Sequence, residues 1–197
     1  MKLFIFDMGN VFLTGIAIIR NMADSIGIPE EKLRSDYAQH EHALMDGSML
    51  PEEYYRHLEG MYGVKIEGNP FLEFFRPSSD EKVLAICDDL RSRGFRCAVG
   101  SNTFAPHWEH VMKMPSDPLS HFDSLYASHL IHLAKPDPAF WMHICRTEGV
   151  SPADAVFIDD LEENCMAAES AGLVSFIYSG DDRLSRLKAF IGEIVNG

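Results

Sequence analysis

The chain is predicted to be a doubly wound parallel α/β sheet with a small all-helical cap inserted after the first strand. Two observations carry this. Apolar runs of strand length alternate with segments of helical periodicity along most of the 197 residues. The alternation is broken once, between about Thr14 and Arg76, where only helical spacing is found. The expected organisation is a core of residues 1–14 and 77–197 and a cap of residues 15–76.

Leu3-Phe4-Ile5-Phe6 is an unbroken apolar run, the pattern of a strand buried on both faces. It ends at Asp7, and Gly9-Asn10 turns the chain. Ile16, Ile19, Met22, Ala23 and Ile26 predict a first helix, closed by Gly27 and Pro29. Leu33, Tyr37, His40 and Leu44 share one face of a second helix, from Pro29 to about Asp46. Pro51 with Glu52 and Glu53 opens a third, running to Gly63, and Pro70–Phe75 is a short fourth. Ser78 and Glu81 have the spacing of a capping box before the helix of Val83, Leu84, Cys87 and Leu90, with Gly94 as its stop. Strands are expected at 95–100, 123–128, 155–158 and 173–178, with helices at 106–114, 139–148 and 161–171 between them. Asp181 is expected to cap a final helix whose Leu184, Leu187, Ile191 and Ile194 face inward.

Composition narrows the function. Seventeen basic against thirty acidic residues give a net charge of −13, a surface that repels nucleic acid and anionic membranes. No apolar run is long enough to cross a bilayer, and no signal peptide is apparent. Cys87, Cys97, Cys145 and Cys165 are widely spread and form no Cys-x-x-Cys pair, so they read as buried thiols of a cytoplasmic protein.

Four polar clusters stand at or near predicted strand ends: Asp7, Ser101-Asn102, Lys135 and Asp159-Asp160. In an open parallel sheet the carboxyl ends of the strands share one edge, where ligands bind. Asp7 and one of Asp159 or Asp160 have the chemistry to chelate Mg²⁺, with the Gly9 carbonyl completing the shell. Ser101 and its neighbouring amides suit phosphate oxygens, and Lys135 is a point positive charge.

The order Phe-Asp-Met-Gly-Asn-Val, Val-Gly-Ser-Asn-Thr, Ala-Lys-Pro-Asp-Pro and Phe-Ile-Asp-Asp-Leu-Glu-Glu-Asn resembles the four motifs of the haloacid dehalogenase (HAD) superfamily. Within it the chain is most similar to a bacterial subgroup that includes α-glucose-1-phosphate phosphatases. The resemblance implies Asp7 as nucleophile and metal ligand, Gly9 as a carbonyl ligand and Asp160 as a further metal ligand. It implies Ser101 and Asn102 as phosphate holders, Lys135 as charge neutraliser, and Asp159 as an acceptor behind the ligands, the two adjacent aspartates being exchangeable at this level. The implied activity is Mg²⁺-dependent hydrolysis of a small phosphorylated metabolite through an aspartyl-phosphate. Alternatives are a metal-independent 2-haloacid dehalogenase and a phosphate-ligand binding protein without turnover.

Two positions depart from the superfamily pattern. Gly9 stands where most of its phosphatases carry a second aspartate as general acid and base, a function worth roughly 10²–10⁴ in rate. That loss matters least for a leaving group that is a stable anion, such as an anomeric sugar, unless His40, Glu41 or His42 of the cap supplies the proton. His132 stands where relatives usually have glycine. His129 and His132 read as ordinary histidines rather than a metal pair. Trp108 reads as packing and Phe71, Phe74 and Phe75 as cap core. Glu162 and Glu163 read as a solvated helix start.

Overall fold

A computed structural model describes residues 2–196. Strand β1 (Leu3–Phe6) is followed by β2 (Leu13–Thr14) and four helices, α1 (Ile19–Ile26), α2 (Glu30–Met45), α3 (Pro51–Tyr62) and α4 (Pro70–Glu73). Then come β3 (Ser78–Ser79), α5 (Glu81–Ser92), β4 (Arg96–Ser101), α6 (Ala105–Val111), β5 (Ser124–Ala127) and α7 (Ser128–Ile131). The chain ends with α8 (Pro138–Glu148), β6 (Ala155–Asp159), α9 (Glu162–Ser170), β7 (Val174–Ile177) and α10 (Arg183–Asn196).

Five strands form a parallel sheet in the order β5-β4-β1-β6-β7. β1 is central, and none of its side chains is exposed. Its residues divide by parity, as a strand's must. Phe4 and Phe6 join Val83 and Leu84 of α5 and Leu187 and Ile191 of α10 on one face. Leu3 and Ile5 join Phe140, Trp141 and Ile144 of α8 and Ala168 of α9 on the other. Helices thus cover both faces, as the continuous apolar run of β1 requires. Gly100 of β4 is needed for this packing. A Cβ there would lie 2.8 Å from Ile5 Cγ2 and 3.2 Å from Ile144 Cδ1.

The four helices after β2 turn Leu33, Leu44, Tyr54, Leu58 and Phe71 inward, and these residues belong to the same apolar cluster as Phe4 and Phe6. Among the described residues, no helix is long and apolar enough to cross a membrane. All four cysteines are free and buried.

Some local expectations are corrected. Ser78 does not start a capping box. Ser78 and Ser79 pair antiparallel with Thr14 and Leu13, so the two chain crossings between sheet and helices form one short ribbon. Asp80 caps α5 instead, accepting from Lys82 N at 3.0 Å. The backbone groups of Ser78 and Ser79 find ladder partners, and the adjacent aspartate, an equally good cap, takes over. The first bond of α10 runs from Arg186 N to the Asp182 carbonyl, so Asp182 and not Asp181 opens that helix. α1 begins at Ile19, and Ile16 lies before it with its Cδ1 against Gly9.

Candidate functional site

The carboxyl ends of β4, β1 and β6 lie side by side, and the site is built there. Asp7 follows β1 directly, and its N–H continues the ladder to Ile158 O at 2.8 Å. Asp159 is the last residue of β6. Between them sits Lys135, 4% exposed, whose Nζ donates to Asp7 Oδ1 and Asp159 Oδ2, both at 2.7 Å.

The two adjacent aspartates differ in what remains free. Asp159 is fully buried, and both its oxygens are engaged: Oδ1 accepts from Leu161 N at 2.8 Å, and Oδ2 accepts from Lys135 and from Asn164 Nδ2 at 3.0 Å. Asp160 accepts only from Asn10 Nδ2, at 3.0 Å. Carboxylate oxygens of Asp7, Asp159 and Asp160 lie within 4.8 Å of one another, an oxygen donor set suited to a hard divalent cation. Asn10 and Asn164 are site residues that sequence reasoning did not single out. Glu162 and Glu163 are exposed, as a solvated helix start should be, and Asn164, one position on, turns inward.

Asn102 is engaged differently from a free phosphate donor. Its side-chain amide donates to Lys135 O and accepts from Lys135 N, both at 2.8 Å. The end of β4 is thereby stitched to the loop that carries the lysine. Ser101 is buried, with its Oγ directed at Asn102 O, 3.4 Å away.

Gly9 lies under a roof. An added Cβ would stand 2.7 Å from Ile16 Cδ1 and 3.7 Å from Asp7 Oδ2. A side chain at this position would have to displace the Ile16 Cδ1 methyl, the end of a flexible side chain. Asn10 takes a left-handed conformation, φ 54°, which asparagine tolerates, and so turns its amide toward Asp160.

Electrostatics follow from burial. Burial pushes the Asp7 carboxyl up to about 7, with Lys135 pulling it down and Asp159 pushing it up. Burial also raises Asp160. Burial alone would lower Lys135, but Asp7 and Asp159 outweigh it and hold the ammonium above its usual range. Three carboxylates facing one ammonium leave excess negative charge, which a divalent cation would balance.

The family model for haloacid dehalogenase-like hydrolases matches residues 1–172. The chain belongs to the haloacid dehalogenase-like hydrolase family. A sesquiterpene phosphatase of Aspergillus oryzae is 26% identical to this hydrolase over 178 residues, covering 88% of this chain and 87% of the relative. A predicted HAD-like hydrolase from Porphyromonas gingivalis superposes with a TM-score of 0.80 at 22% identity, covering 97% and 98% of the two chains. A HAD family enzyme from Bacteroides thetaiotaomicron, crystallised with magnesium and inorganic phosphate, superposes at 0.76 with 21% identity over 95% and 98%.

The remaining sequence candidates of the hydrolase pack around the site or within the helical layer. His40 Nδ1 bonds Asp36 O at 2.9 Å, His42 faces Asp46, and Glu41 is exposed. His129 bonds Thr103 O, and His132 bonds Asp46 O, each through Nδ1. His132 has φ 54°, the left-handed region that favours glycine, which explains why a glycine suits this position. Phe71, Phe75 and Trp108 are buried.

His107 bridges the helical layer and the sheet. Its Nε2 lies 2.9 Å from Phe71 O, and its ring stacks on Phe75 with centroids 3.8 Å apart. Burial pulls its pKa down to about 4 from 6.5, so folding favours the neutral ring. The unfolded chain therefore binds the proton more readily. The stabilisation is complete above pH 6.5 and is lost as pH falls toward 4. Denaturant titrations at pH 7.5 and pH 5 should show wild type losing about 2 kcal/mol more than His107→Gln on acidification.

Proposed function

We propose that the hydrolase is a Mg²⁺-dependent phosphomonoesterase acting on a small phosphorylated metabolite, with residues 15–76 as the cap over its site. The observation that carries this reading is the Lys135 bridge between Asp7 and Asp159, with Asp160 left open beside it. Asp7, Asp160 and the Gly9 carbonyl would hold the cation. Asp159, its oxygens already engaged, orients Lys135 and Asn164. A bound Mg²⁺ would offset charge on the phosphoryl oxygens and the carboxylates.

In the first step Asp7 attacks phosphorus, the bond to the ester oxygen breaks, and an aspartyl-phosphate forms. Lys135 holds Asp7 through Oδ1, and Oδ2 is on the side of Gly9. Ser101 and the backbone amides after β4 receive the phosphoryl oxygens. The side chain of Asn102 fixes Lys135, and the second hydrogen of its amide nitrogen is left for a phosphoryl oxygen. Water then attacks phosphorus, releasing phosphate and restoring Asp7. The phosphatase relative and the magnesium- and phosphate-bearing neighbour support this chemistry.

The substrate class follows from Gly9. With glycine in place of an acid and the Ile16 methyl beside it, the leaving oxygen departs with little protonation from this position. We read this as favouring phosphates of stabilised leaving groups, a sugar 1-phosphate being the leading case. The expected result is faster turnover of glucose 1-phosphate than of glucose 6-phosphate, and loss of both on adding EDTA, with recovery in Mg²⁺. A preference for the 6-phosphate would remove the leaving-group argument. Chloride release from 2-chloropropionate that survives EDTA would instead mark a dehalogenase, for which the open Asp160 carboxylate has no use.

A further inference from the structure

Among the described residues, two groups of side chains have the spacing to hold a metal ion, and one of them lies away from Asp7. It consists of Asp36 and His40 on α2 and His57 on α3. His57 Nε2 lies 2.9 Å from Asp36 Oδ2, and His40 Nδ1, which bonds the Asp36 carbonyl at 2.9 Å, lies 3.4 Å from Asp36 Oδ1. The two imidazoles have centroids 4.4 Å apart. Ligands of a tetrahedral zinc ion, bound at about 2.0–2.2 Å, stand about 3.3 Å from one another. The three side chains therefore have the spacing to close on an ion once His40 Nδ1 exchanges its bond to the Asp36 carbonyl for the metal.

A second observation points the same way. Asp36 is 7% exposed, and its Oδ1 has no hydrogen-bond partner. The Tyr54 hydroxyl is likewise buried without a hydrogen bond of ordinary length, near enough to Asp36 that burial and this carboxylate together push its pKa up, and its ring is 5.5 Å from that of His40. Buried polar atoms left in this state are costly, and a carboxylate oxygen especially so. A cation would satisfy Asp36 directly. Both histidines remain about a quarter exposed, which gives an ion a route in and leaves a position for water.

We propose that Asp36, His40 and His57 form a second metal site, one that takes Zn²⁺ and ties α2 to α3. Two imidazoles and one carboxylate suit this borderline ion, whereas the all-oxygen set around Asp7 suits Mg²⁺. Ring contacts run from His40 to Tyr54, Phe71 and Phe104, and Phe104 is three residues beyond Ser101. An ion here would thus stiffen the packing behind the loop that follows β4.

The test is metal binding by the intact chain in excess Mg²⁺, which keeps the carboxylate site from competing. Co²⁺ should bind at one equivalent and show the visible bands of a low-coordinate site, and Zn²⁺ should displace it. At about a hundredfold excess over Kd, Zn²⁺ should raise Tm by about 5 °C or more. His40→Gln and His57→Gln should abolish both effects, and His132→Gln should retain them. No binding to the wild-type chain would leave a plain Asp–His hydrogen-bond cluster and overturn the proposal, whatever the variants do. Binding that survives His57→Gln but disappears with Asp160→Asn would place the ion among the catalytic carboxylates and overturn it equally. Phosphatase turnover plays no part in either readout.

Discussion

Asp7→Asn is expected to lower turnover of p-nitrophenyl phosphate by at least about 10⁴-fold, since nothing else at the site replaces the attacking oxygen. The same substitution should not harm the fold. Burial and the neighbouring Asp159 both penalise the charge on Asp7. An asparagine of the same shape removes that charge, and its carbonyl can still accept from Lys135. Tm should therefore stay level or rise, a stability change within about 1–2 kcal/mol, as sites that hold like charges together often show. Thermal melts beside the turnover assay check both halves. A variant that keeps a tenth of the wild-type rate would show that Asp7 is not the nucleophile.

Lys135→Met should damage both properties. The ammonium is the charge partner of Asp7 and Asp159 inside the protein. Removing it leaves buried carboxylates without a counter-charge, which typically costs about 3–5 kcal/mol. The sign of the pH dependence is fixed. Without Lys135 to pull it down, the Asp7 carboxyl stands still further above its unfolded value, so stability is lost as pH rises through its folded value. The gap between variant and wild type should be wide at pH 8 and narrow at pH 5. Added Mg²⁺ should recover part of it at pH 8. Denaturant midpoints at the two pH values, with and without Mg²⁺, measure this. A gap that does not change with pH would mean that the lysine matters by packing alone.

The sheet was legible because β1 reads as an unbroken apolar run and strand periodicity recurs on schedule. The clustering of Asp7, Lys135 and Asp159 followed from topology, since parallel strands gather their ends. Other features depend on pairings that no local pattern announces. The β2–β3 ribbon joins residues more than sixty apart and only two long in each strand. Asn102 looks like a phosphate donor in sequence, and only the path of the Lys135 loop shows where its amide is used. Asn164 was hidden by two glutamates of the same helix start, whose charge drew the reading to solvent-facing positions. The absence of an acid at Gly9 was visible, but that Ile16 occupies the vacated space was not.

That ribbon has a mechanical consequence. Because the outgoing and returning segments are hydrogen-bonded to each other, the two chain crossings between the four-helix layer and the sheet form one strip rather than two independent ones. Gly15 tightens it, its α-carbon so near Arg76 O that a methyl would stand 2.6 Å away. A layer whose two chain crossings share one strip would swing about that strip more readily than slide along the sheet. If residues 15–76 are the cap proposed above, admission of a ligand would amount to pivoting, which the His132–Asp46 and His107–Phe71 bonds would have to release.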